Sequence, residues 1–141
     1  MIILDTDIIS ILDAQSGVAY ENLAQRLSDP QVDRVAVTIV SIEEQMRGWL
    51  SYIAASRTTA RQMEGYSRLH RMIRWYQRQE VLDLDSTAAD KFDQLKRARI
   101  RIGQMDLKIA AIAVSRDALL VSRNLRDFRQ VPNLRVQDWT Q

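Results

Sequence analysis

Apolar residues occur along the chain in two kinds of run, and these predict alternating strands and helices. Short runs rich in apolar and β-branched residues predict buried strands at residues 1–4, 35–40, 81–84 and 119–121, and a short edge strand at 134–136. Longer segments with apolar residues at helical spacing predict helices at residues 8–14, 18–28, 42–56, 58–79, 86–99 and 106–116. This alternation predicts an α/β fold with a parallel sheet, and the absence of linkers or repeats predicts one domain over residues 1–141.

The predicted helices carry further signals at their ends and on their faces. Ser41 is the expected N-cap of the helix at 42–56, with Glu44 as its capping-box partner, and Ser86 is the expected cap of the helix at 86–99. The helix at 106–116 is apolar on most sides and is predicted to be buried. The helix at 58–79 is predicted to turn one apolar stripe inward, formed by Met63, Tyr66, Leu69, His70, Ile73 and either Tyr76 or Gln77.

Composition narrows the classes of protein and of site. Hydrophobic residues make up 46% and charged residues 27% of the chain, which is typical of a globular domain. The absence of cysteine excludes disulfides and thiolate metal sites, and a single histidine, His70, excludes sites built from several histidines. No run is long enough to span a membrane, and no basic stretch precedes the first apolar run. We therefore expect a cytoplasmic protein without membrane contact.

Basic residues are concentrated in one part of the chain. The net charge is only +2, but 17 of the 20 basic residues are arginine, since the chain has only three lysines. Residues 45–79 hold seven arginines and a single acid, Glu64. Arginine binds phosphate through two parallel hydrogen bonds and stacks on bases, so this segment suits a nucleic-acid partner. The alternative is a solvated helix face in an arginine-rich protein.

Several polar residues follow the predicted strands or begin the next helices. Asp5 follows the first strand, Glu44 lies in the first turns of the helix after the second strand, and Asp106 opens the helix before the fourth. Ser122 and Asn124 follow the fourth strand. Because binding sites in open parallel sheets form beyond the carboxyl ends of the strands, we expect these residues to converge on one edge.

A cluster of carboxylates needs a counter-charge, because adjacent negative charges repel each other. Mg²⁺ and Mn²⁺ prefer oxygen ligands, and such an ion can activate water and stabilise charge on a phosphate. The pattern therefore suits metal-assisted hydrolysis of phosphodiesters. A structural alternative exists for each acid: Asp5 and Asp106 as helix caps, and Glu44 as the capping-box acid.

Four segments of the chain resemble motifs of one known family. Ile3–Asp7 resembles the opening motif of PIN-domain proteins, in which a strand ends in Asp-Thr-Asn, and Glu44–Gly48 resembles their Glu-Leu-x-x-Gly motif. Asp106–Ala111 resembles the motif Asp-x-x-Ile-Ala-Ala, and Ser122–Phe128 resembles the closing motif Thr-x-Asn-x-x-x-Phe. Order and spacing match over residues 2–139, and the subgroup most similar is that of the VapC-type toxins of bacterial toxin–antitoxin pairs.

The resemblance implies a three-layer α/β/α sandwich with a mostly parallel sheet of four to five strands. It also implies an endoribonuclease that depends on Mg²⁺ or Mn²⁺, forms a homodimer and is inhibited by a cognate antitoxin protein. Asp5, Glu44 and Asp106 match the acids that hold the metal, and Asn124 matches a position that is acidic in some members and Asn in others. RNA would then lie across the arginines of residues 45–79, with unpaired bases stacked on aromatic residues drawn from Trp49, Tyr52, Trp75 and Tyr76.

The match has departures that leave some roles open. Asp7 stands where the family usually has Asn, which adds a negative charge beside Asp5. Glu43 precedes Glu44, so the choice between them depends on the spacing to Gly48. Either Asn124 or Asp127 is expected to orient a water molecule or a second ion.

Two other functions fit parts of the sequence. Leu4–Asp7 also resembles the first motif of haloacid-dehalogenase-type phosphatases, in which Asp5 would be a covalent nucleophile and Asp7 a general acid. That family needs a later lysine and an acidic pair, and the chain has no adjacent Asp-Asp. The second alternative is a PIN-like scaffold that has lost activity and only binds partners, although the three acids are intact.

Overall fold

The computed structural model describes all residues from Met1 to Gln141. Its five strands are β1 (Ile2–Leu4), β2 (Val35–Thr38), β3 (Glu80–Leu82), β4 (Leu119–Val121) and β5 (Arg135–Gln137). Its seven helices are α1 (Thr6–Ala14), α2 (Val18–Leu27), α3 (Ile39–Ala55), α4 (Thr59–Tyr76), α5 (Ser86–Arg97), α6 (Gln104–Ser115) and α7 (Leu125–Phe128).

The strands form one parallel sheet in the order β3-β2-β1-β4-β5, with β1 at the centre. From β1 the chain builds β2 and β3 on one side of the sheet, and then crosses to build β4 and β5 on the other. The strand order therefore reverses between β1 and β4, which is where ligand sites form in open parallel sheets. The predicted fifth strand at the edge is confirmed.

Alternate residues of the strands face two separate cores. Ile3, Ala36 and Leu120 face the core that contains α5, α6 and α7. Leu4 and Val121 face the other core, to which α1, α2 and α4 contribute. Side chains alternate across a strand, so each strand contributes to both layers. The result is the predicted three-layer α/β/α arrangement.

The central strands carry apolar side chains on both faces, and this explains why the sequence showed runs rather than alternation. Helix α6 is likewise buried on several sides, and its five consecutive residues Ile109–Ala113 have no exposed surface. Burial all round fixes this helix against the sheet and holds its first turn, including Asp106, at the carboxyl edge.

Several predicted element ends are wrong. The strand β2 ends at Thr38, and Thr38 rather than Ser41 caps α3, since its side chain accepts a hydrogen bond from the Ser41 backbone N–H at 3.2 Å. The β-branched residues after Thr38 continue into a helix, because tertiary packing outweighs their strand propensity. Likewise Asp85 rather than Ser86 caps α5. Helix α1 starts at Thr6 rather than at residue 8, and the short helix α7 was not predicted.

The predicted inner face of α4 is confirmed only in part. Met63, Tyr66 and Ile73 are 67%, 59% and 40% exposed, and His70 is exposed as well. The buried residues of α4 are Gly65, Met72 and Tyr76, and the half-buried Leu69 packs against the same core. The predicted Leu69 and Tyr76 therefore do face inward, but the buried face is rotated towards Gly65 and Met72. This face packs inward because Gly65 has no side chain, which lets α4 approach Ile53 and Tyr52 of α3 closely. No helix of the chain has both the length and the apolar character needed to cross a membrane.

Candidate active site

Asp5 lies at the carboxyl end of β1 and is only 5% exposed. Its Oδ1 accepts a hydrogen bond from the Thr6 backbone N–H at 2.8 Å, which caps α1. Its Oδ2 accepts a hydrogen bond from the Ser122 hydroxyl at 2.7 Å, across from the neighbouring strand β4. Asp5 therefore has the structural role of a cap, and it also joins the two strand ends at which the sheet order reverses.

Glu44 reaches the same edge from α3. Its Oε1 accepts a hydrogen bond from the Thr6 hydroxyl at 2.9 Å, and the Thr6 and Ser41 hydroxyls are 2.9 Å apart. Glu44 is therefore not a capping-box residue. Glu43 points away, because its carboxylate accepts a hydrogen bond from Arg47 at 2.7 Å one helical turn later. The geometry thus directs Glu44, and not Glu43, towards the edge.

Asp106 and Asn124 meet at this edge from α6 and from the end of β4. The Asn124 side-chain amide donates to Asp106 Oδ2 at 3.3 Å and to Asp127 Oδ2 at 3.1 Å. The Asn124 backbone N–H donates to the Ser122 hydroxyl at 3.0 Å. Asp106 lies in the first turn of α6, which Gly103 caps, so it is not the N-cap of that helix. A continuous chain of hydrogen bonds therefore runs from Asp5 through Ser122 and Asn124 to Asp106.

Asp7 is the fifth carboxylate of this group. Its Oδ2 accepts a hydrogen bond from the Arg123 backbone N–H at 3.1 Å. Its Oδ1 is buried and has no hydrogen-bond partner. A buried carboxylate oxygen without a donor is costly, and a cation is one of the few groups that satisfies it.

The carboxylates disturb one another's protonation. Burial raises the pKa of Asp5 to about 7, and the negative charges of Asp7 and Asp106 add to this. Burial and then Asp106 raise the pKa of Glu44. The pKa of Asp106 is raised by burial and then by Asp127 and Asp7. The acids therefore lie within electrostatic range of one another, and none of them forms an ion pair with a basic side chain.

The acids do not enclose an ion by themselves. No three side chains among the His, Asp and Glu residues are placed to coordinate one ion together. Hydrogen bonds hold Asp5 to Ser122 and Glu44 to Thr6, and joint binding of one cation by Asp5, Glu44 and Asp106 stays a prediction. The donor set still fits a hard divalent cation, since Mg²⁺ commonly binds through one or two carboxylates and keeps several waters.

Some arginines of the basic segment, residues 45–79, are already paired with acids of this chain. Arg68 and Arg71 form ion pairs with Asp13 of α1, as Arg47 does with Glu43. Four arginines of the segment form no ion pair: Arg57, Arg61, Arg74 and Arg78. Of the four aromatic residues expected to stack on bases, Tyr76 is buried and donates a hydrogen bond to Gln45 at 2.8 Å, so it is not available for stacking.

Two residues of the site were not predicted from the sequence: Thr6 and Ser41. The Thr6 hydroxyl of α1 contacts Ser41 and Glu44 of α3, which lie 35 and 38 residues further along the chain. The only available signal was the position of Thr6 within the first motif.

Comparison with known proteins places this chain in a family. No protein-family model matches the chain. The tRNA(fMet)-specific endonuclease VapC of Salmonella typhimurium is 32% identical over 111 residues, which are 75% of this chain and 76% of that protein. The chain belongs to the VapC family of PIN-domain toxins. A second relative is the ribonuclease VapC2 of Rickettsia felis, 30% identical over 66 residues, which cover 44% of this chain and 49% of that one.

Solved structures of VapC proteins share the fold over the whole chain. VapBC-1 from nontypeable Haemophilus influenzae matches with a TM-score of 0.72 and 25% identity, and covers 100% of both chains. DNA-bound VapBC from Salmonella typhimurium matches with a TM-score of 0.70 and 26% identity, and covers 98% of this chain and 97% of that one. The VapC family, the PIN-like fold and the nuclease class predicted from the sequence are confirmed, and the phosphatase alternative is wrong.

Proposed function

We propose that the protein is the ribonuclease toxin of a toxin–antitoxin pair and hydrolyses RNA phosphodiesters at the acidic edge of its sheet, with Mg²⁺ or Mn²⁺ as cofactor. The observation that carries this proposal is the hydrogen-bonded chain from Asp5 through Ser122 and Asn124 to Asp106, at the point where the strand order reverses. The carboxylates gathered there form no ion pair with a basic side chain, and the chain belongs to a family of nucleases.

Asp5, Glu44 and Asp106 are the residues that would hold the cation. When bound, such an ion supplies a Lewis acid that lowers the pKa of water and offsets negative charge on a phosphate. Asp106 and Glu44 each keep one carboxylate oxygen that accepts no hydrogen bond, whereas both oxygens of Asp5 accept one. The unpartnered Oδ1 of Asp7 adds a further negative potential that favours a cation.

The other residues hold the acids in place. Ser122 and the Thr6 backbone fix both oxygens of Asp5, and Asn124 separates the carboxylates of Asp106 and Asp127 by donating to both. The Thr6 hydroxyl fixes one oxygen of Glu44. The second oxygen of Glu44 accepts no hydrogen bond, so it is free to contact the cation.

Partners follow from the family. The solved relatives are VapBC toxin–antitoxin complexes, so we infer that a cognate antitoxin binds this protein. We also propose that two copies form a homodimer, and that residues 1–141 form one domain, since all five strands share one sheet. The named relative from Salmonella typhimurium makes transfer RNA the first substrate class to test.

The test is cleavage of bulk transfer RNA by the purified protein in Mn²⁺, with and without EDTA. We expect cleavage that EDTA stops, and a loss of about 10³-fold or more in rate for Asp5→Ala and Asp106→Asn, because each removes a carboxylate at the proposed metal site. Glu43→Gln is the matched control and retains the rate, since Glu43 faces Arg47. Circular dichroism checks that the variants are folded. Full activity of folded Asp5→Ala, or equal activity in EDTA, contradicts the proposal.

A further inference from the structure

The turn between α5 and α6, residues 98–103, lies at the same edge of the sheet as the acids. Asp85, the N-cap of α5, forms an ion pair at 3.6 Å with Arg116, the C-cap of α6, so the two helices run antiparallel. The turn that joins them is therefore at the opposite end, beside Asp106. Gly103, which ends the turn, lies about 5 Å from Asp106 along the axis of α6.

This turn and the helix ends beside it carry a cluster of cations. We call its five members the basic turn: Lys96, Arg97, Arg99, Arg101 and Lys108. Asp106 is the only acid between the first and the last of them. None of the five forms an ion pair with an acid of this chain, whereas Arg68 and Arg71 of the basic segment pair with Asp13. The charge of the basic turn is therefore left for a partner outside the protein.

Two cations of the basic turn are held by an aromatic ring rather than by an acid. The ammonium groups of Lys96 and Lys108 lie 5.2 and 5.8 Å from the centre of the Phe92 ring. Phe92 is half-buried and packs against the core that contains α6. A ring attracts an ammonium group without cancelling its charge. Both lysines therefore have fixed surroundings and keep their positive charge.

Arg99 occupies a position at which the backbone favours a different residue. Its φ is +55°, in the left-handed region, and it directly follows Ala98, the C-cap of α5. Glycine is the usual residue at such a position, because it has no Cβ atom. The arginine side chain is exposed and does not contribute to ending the helix. Its presence favours a role in binding rather than in folding.

We propose that the basic turn binds phosphates of the RNA strand that flank the bond cleaved at the acidic edge. A polyanion is repelled by a group of carboxylates, so cations beside them are needed to hold the strand there. Arginine and lysine side chains that neutralise phosphates supply this attraction. The inference rests on the proposed function and deepens it, because it names the residues that hold the same substrate.

The turn between α3 and α4 is the rival surface, since it belongs to the basic segment of residues 45–79. Helix α3 ends at Ala55, about 17 Å from Glu44 along the helix axis. Arg57 and Arg61 lie beyond that end, and both are exposed and form no ion pair. They carry the same charge as Arg99 and Arg101 but lie farther from the acids, so the two pairs can be compared directly.

The experiment measures binding of fluorescein-labelled bulk transfer RNA by fluorescence anisotropy, in EDTA and over a series of salt concentrations. Each phosphate contact contributes about 0.7 to 0.9 to the steepness with which log affinity falls against log salt. We expect Arg99→Gln/Arg101→Gln to lower this steepness by about 1.5 and Arg57→Gln/Arg61→Gln to leave it unchanged. Both variants lose two charges, so a difference between them reports the position of the charge and not its amount.

Two further measurements separate binding from folding and from chemistry. Arg99→Gly suits the left-handed backbone, so we expect a Tm equal to or above that of the wild type, with RNA affinity at low salt lowered about fivefold. In Mn²⁺, we expect Arg99→Gln/Arg101→Gln to raise the KM for RNA cleavage about tenfold and to change kcat by less than about twofold. A fall in kcat at unchanged KM overturns the inference, because it would place these side chains at the reacting phosphate.

Failure of this inference is distinguishable from failure of the proposed function. An active nuclease whose salt dependence is unchanged in Arg99→Gln/Arg101→Gln, or lowered only in Arg57→Gln/Arg61→Gln, overturns the inference alone. A poly-glutamate peptide that loses binding in Arg99→Gln/Arg101→Gln, while RNA does not, also overturns it and assigns the basic turn to an acidic protein partner. RNA binding through the basic turn by a protein that cleaves no RNA supports the turn as an RNA surface and contradicts the proposed function.

Discussion

Helices α6 and α4 show how differently two parts of one domain use their residues. Helix α6 buries six of its 12 residues and presses against the central strands. Helix α4 buries three of its 18 residues and leaves Met63, Tyr66 and Ile73 exposed. We call α6 together with the sheet the frame. Helix α4 forms a hairpin with α3, covers one wall of a groove and presents the rest of its surface to solvent.

This difference shows which part of the molecule holds the acidic residues in fixed positions. Asp106 begins α6, and Asp5 and Ser122 end the two strands beneath it, so the acids are held by the best-packed part of the chain. A groove beside them lies between α1, α3 and α4, and α4 exposes several large apolar side chains and pairs charges at the surface. Well-packed elements position Asp5, Asp106 and Ser122, and the helical hairpin of α3 and α4 adds Glu44 to the acidic edge.

The largest expected difference concerns stability. Ile112→Ala in α6 removes a fully buried side chain and is expected to lower the free energy of unfolding by about 2–5 kcal/mol. Ile73→Ala in α4 removes a side chain that is 40% exposed and is expected to cost about 1 kcal/mol or less. Urea denaturation followed by circular dichroism measures both. Equal losses of unfolding free energy in the two variants would show that α6 and α4 do not differ in how much they contribute to stability.

The second prediction concerns pH and the frame. Because the folded-state pKa of Asp5 is about 7, above its ordinary value of 3.8, the folded protein binds a proton that the unfolded chain has released. Asp5 therefore makes stability fall as pH rises from about 4 to 7, by up to about 1.4 kcal/mol per pH unit. Unfolding free energies of the wild type and of Asp5→Asn, measured over this range without divalent cation, give the effect. Parallel pH profiles for the two proteins would show that Asp5 is not perturbed.

The third prediction concerns the hairpin alone. A Cβ atom at Gly65 would lie 2.6 Å from Ile53 Cγ1 and 2.9 Å from Tyr52 Cδ1, so Gly65→Ala is expected to lower stability by about 1–3 kcal/mol. Gly48 lies in α3 with open space around it, and Gly48→Ala is expected to raise stability by about 0.5–1 kcal/mol. Thermal unfolding of the pair tests this. A Gly65→Ala protein as stable as the wild type would mean that α3 and α4 are not closely packed.

The sequence predicted the frame better than the hairpin for a physical reason. Strands buried on both faces and a helix buried all round produce long apolar runs, and such runs are read without ambiguity, as in Ile109–Ala113. Helix α4 carries apolar residues on two faces, and periodicity alone does not decide which face packs. The decision came from Gly65, through a contact with α3 that is not visible in the local pattern.

The residues of the candidate site likewise fall into those that local sequence predicts and those that only tertiary packing reveals. The acids were found because each follows a strand or begins a helix, which is a local property of the sequence. Thr6 and Ser41 were missed because their hydroxyls meet only when α1 packs on α3. The ion pairs of Asp13 with Arg68 and Arg71 were missed for the same reason, since they join residues 55 and 58 positions apart.

Binding of Mn²⁺, measured by electron paramagnetic resonance, tests the central claim most directly, because the account requires a cation at the acidic edge before it requires any substrate. The two neighbouring acids of α3 supply a matched pair for it: Glu44 faces Thr6, and Glu43 faces Arg47. We predict that the wild type and Glu43→Gln bind one or more Mn²⁺ ions, that Glu44→Gln weakens binding by about tenfold, and that Asp106→Asn abolishes it. Mn²⁺ binding that is unchanged in Asp106→Asn, or absent from the folded wild type, would contradict the account.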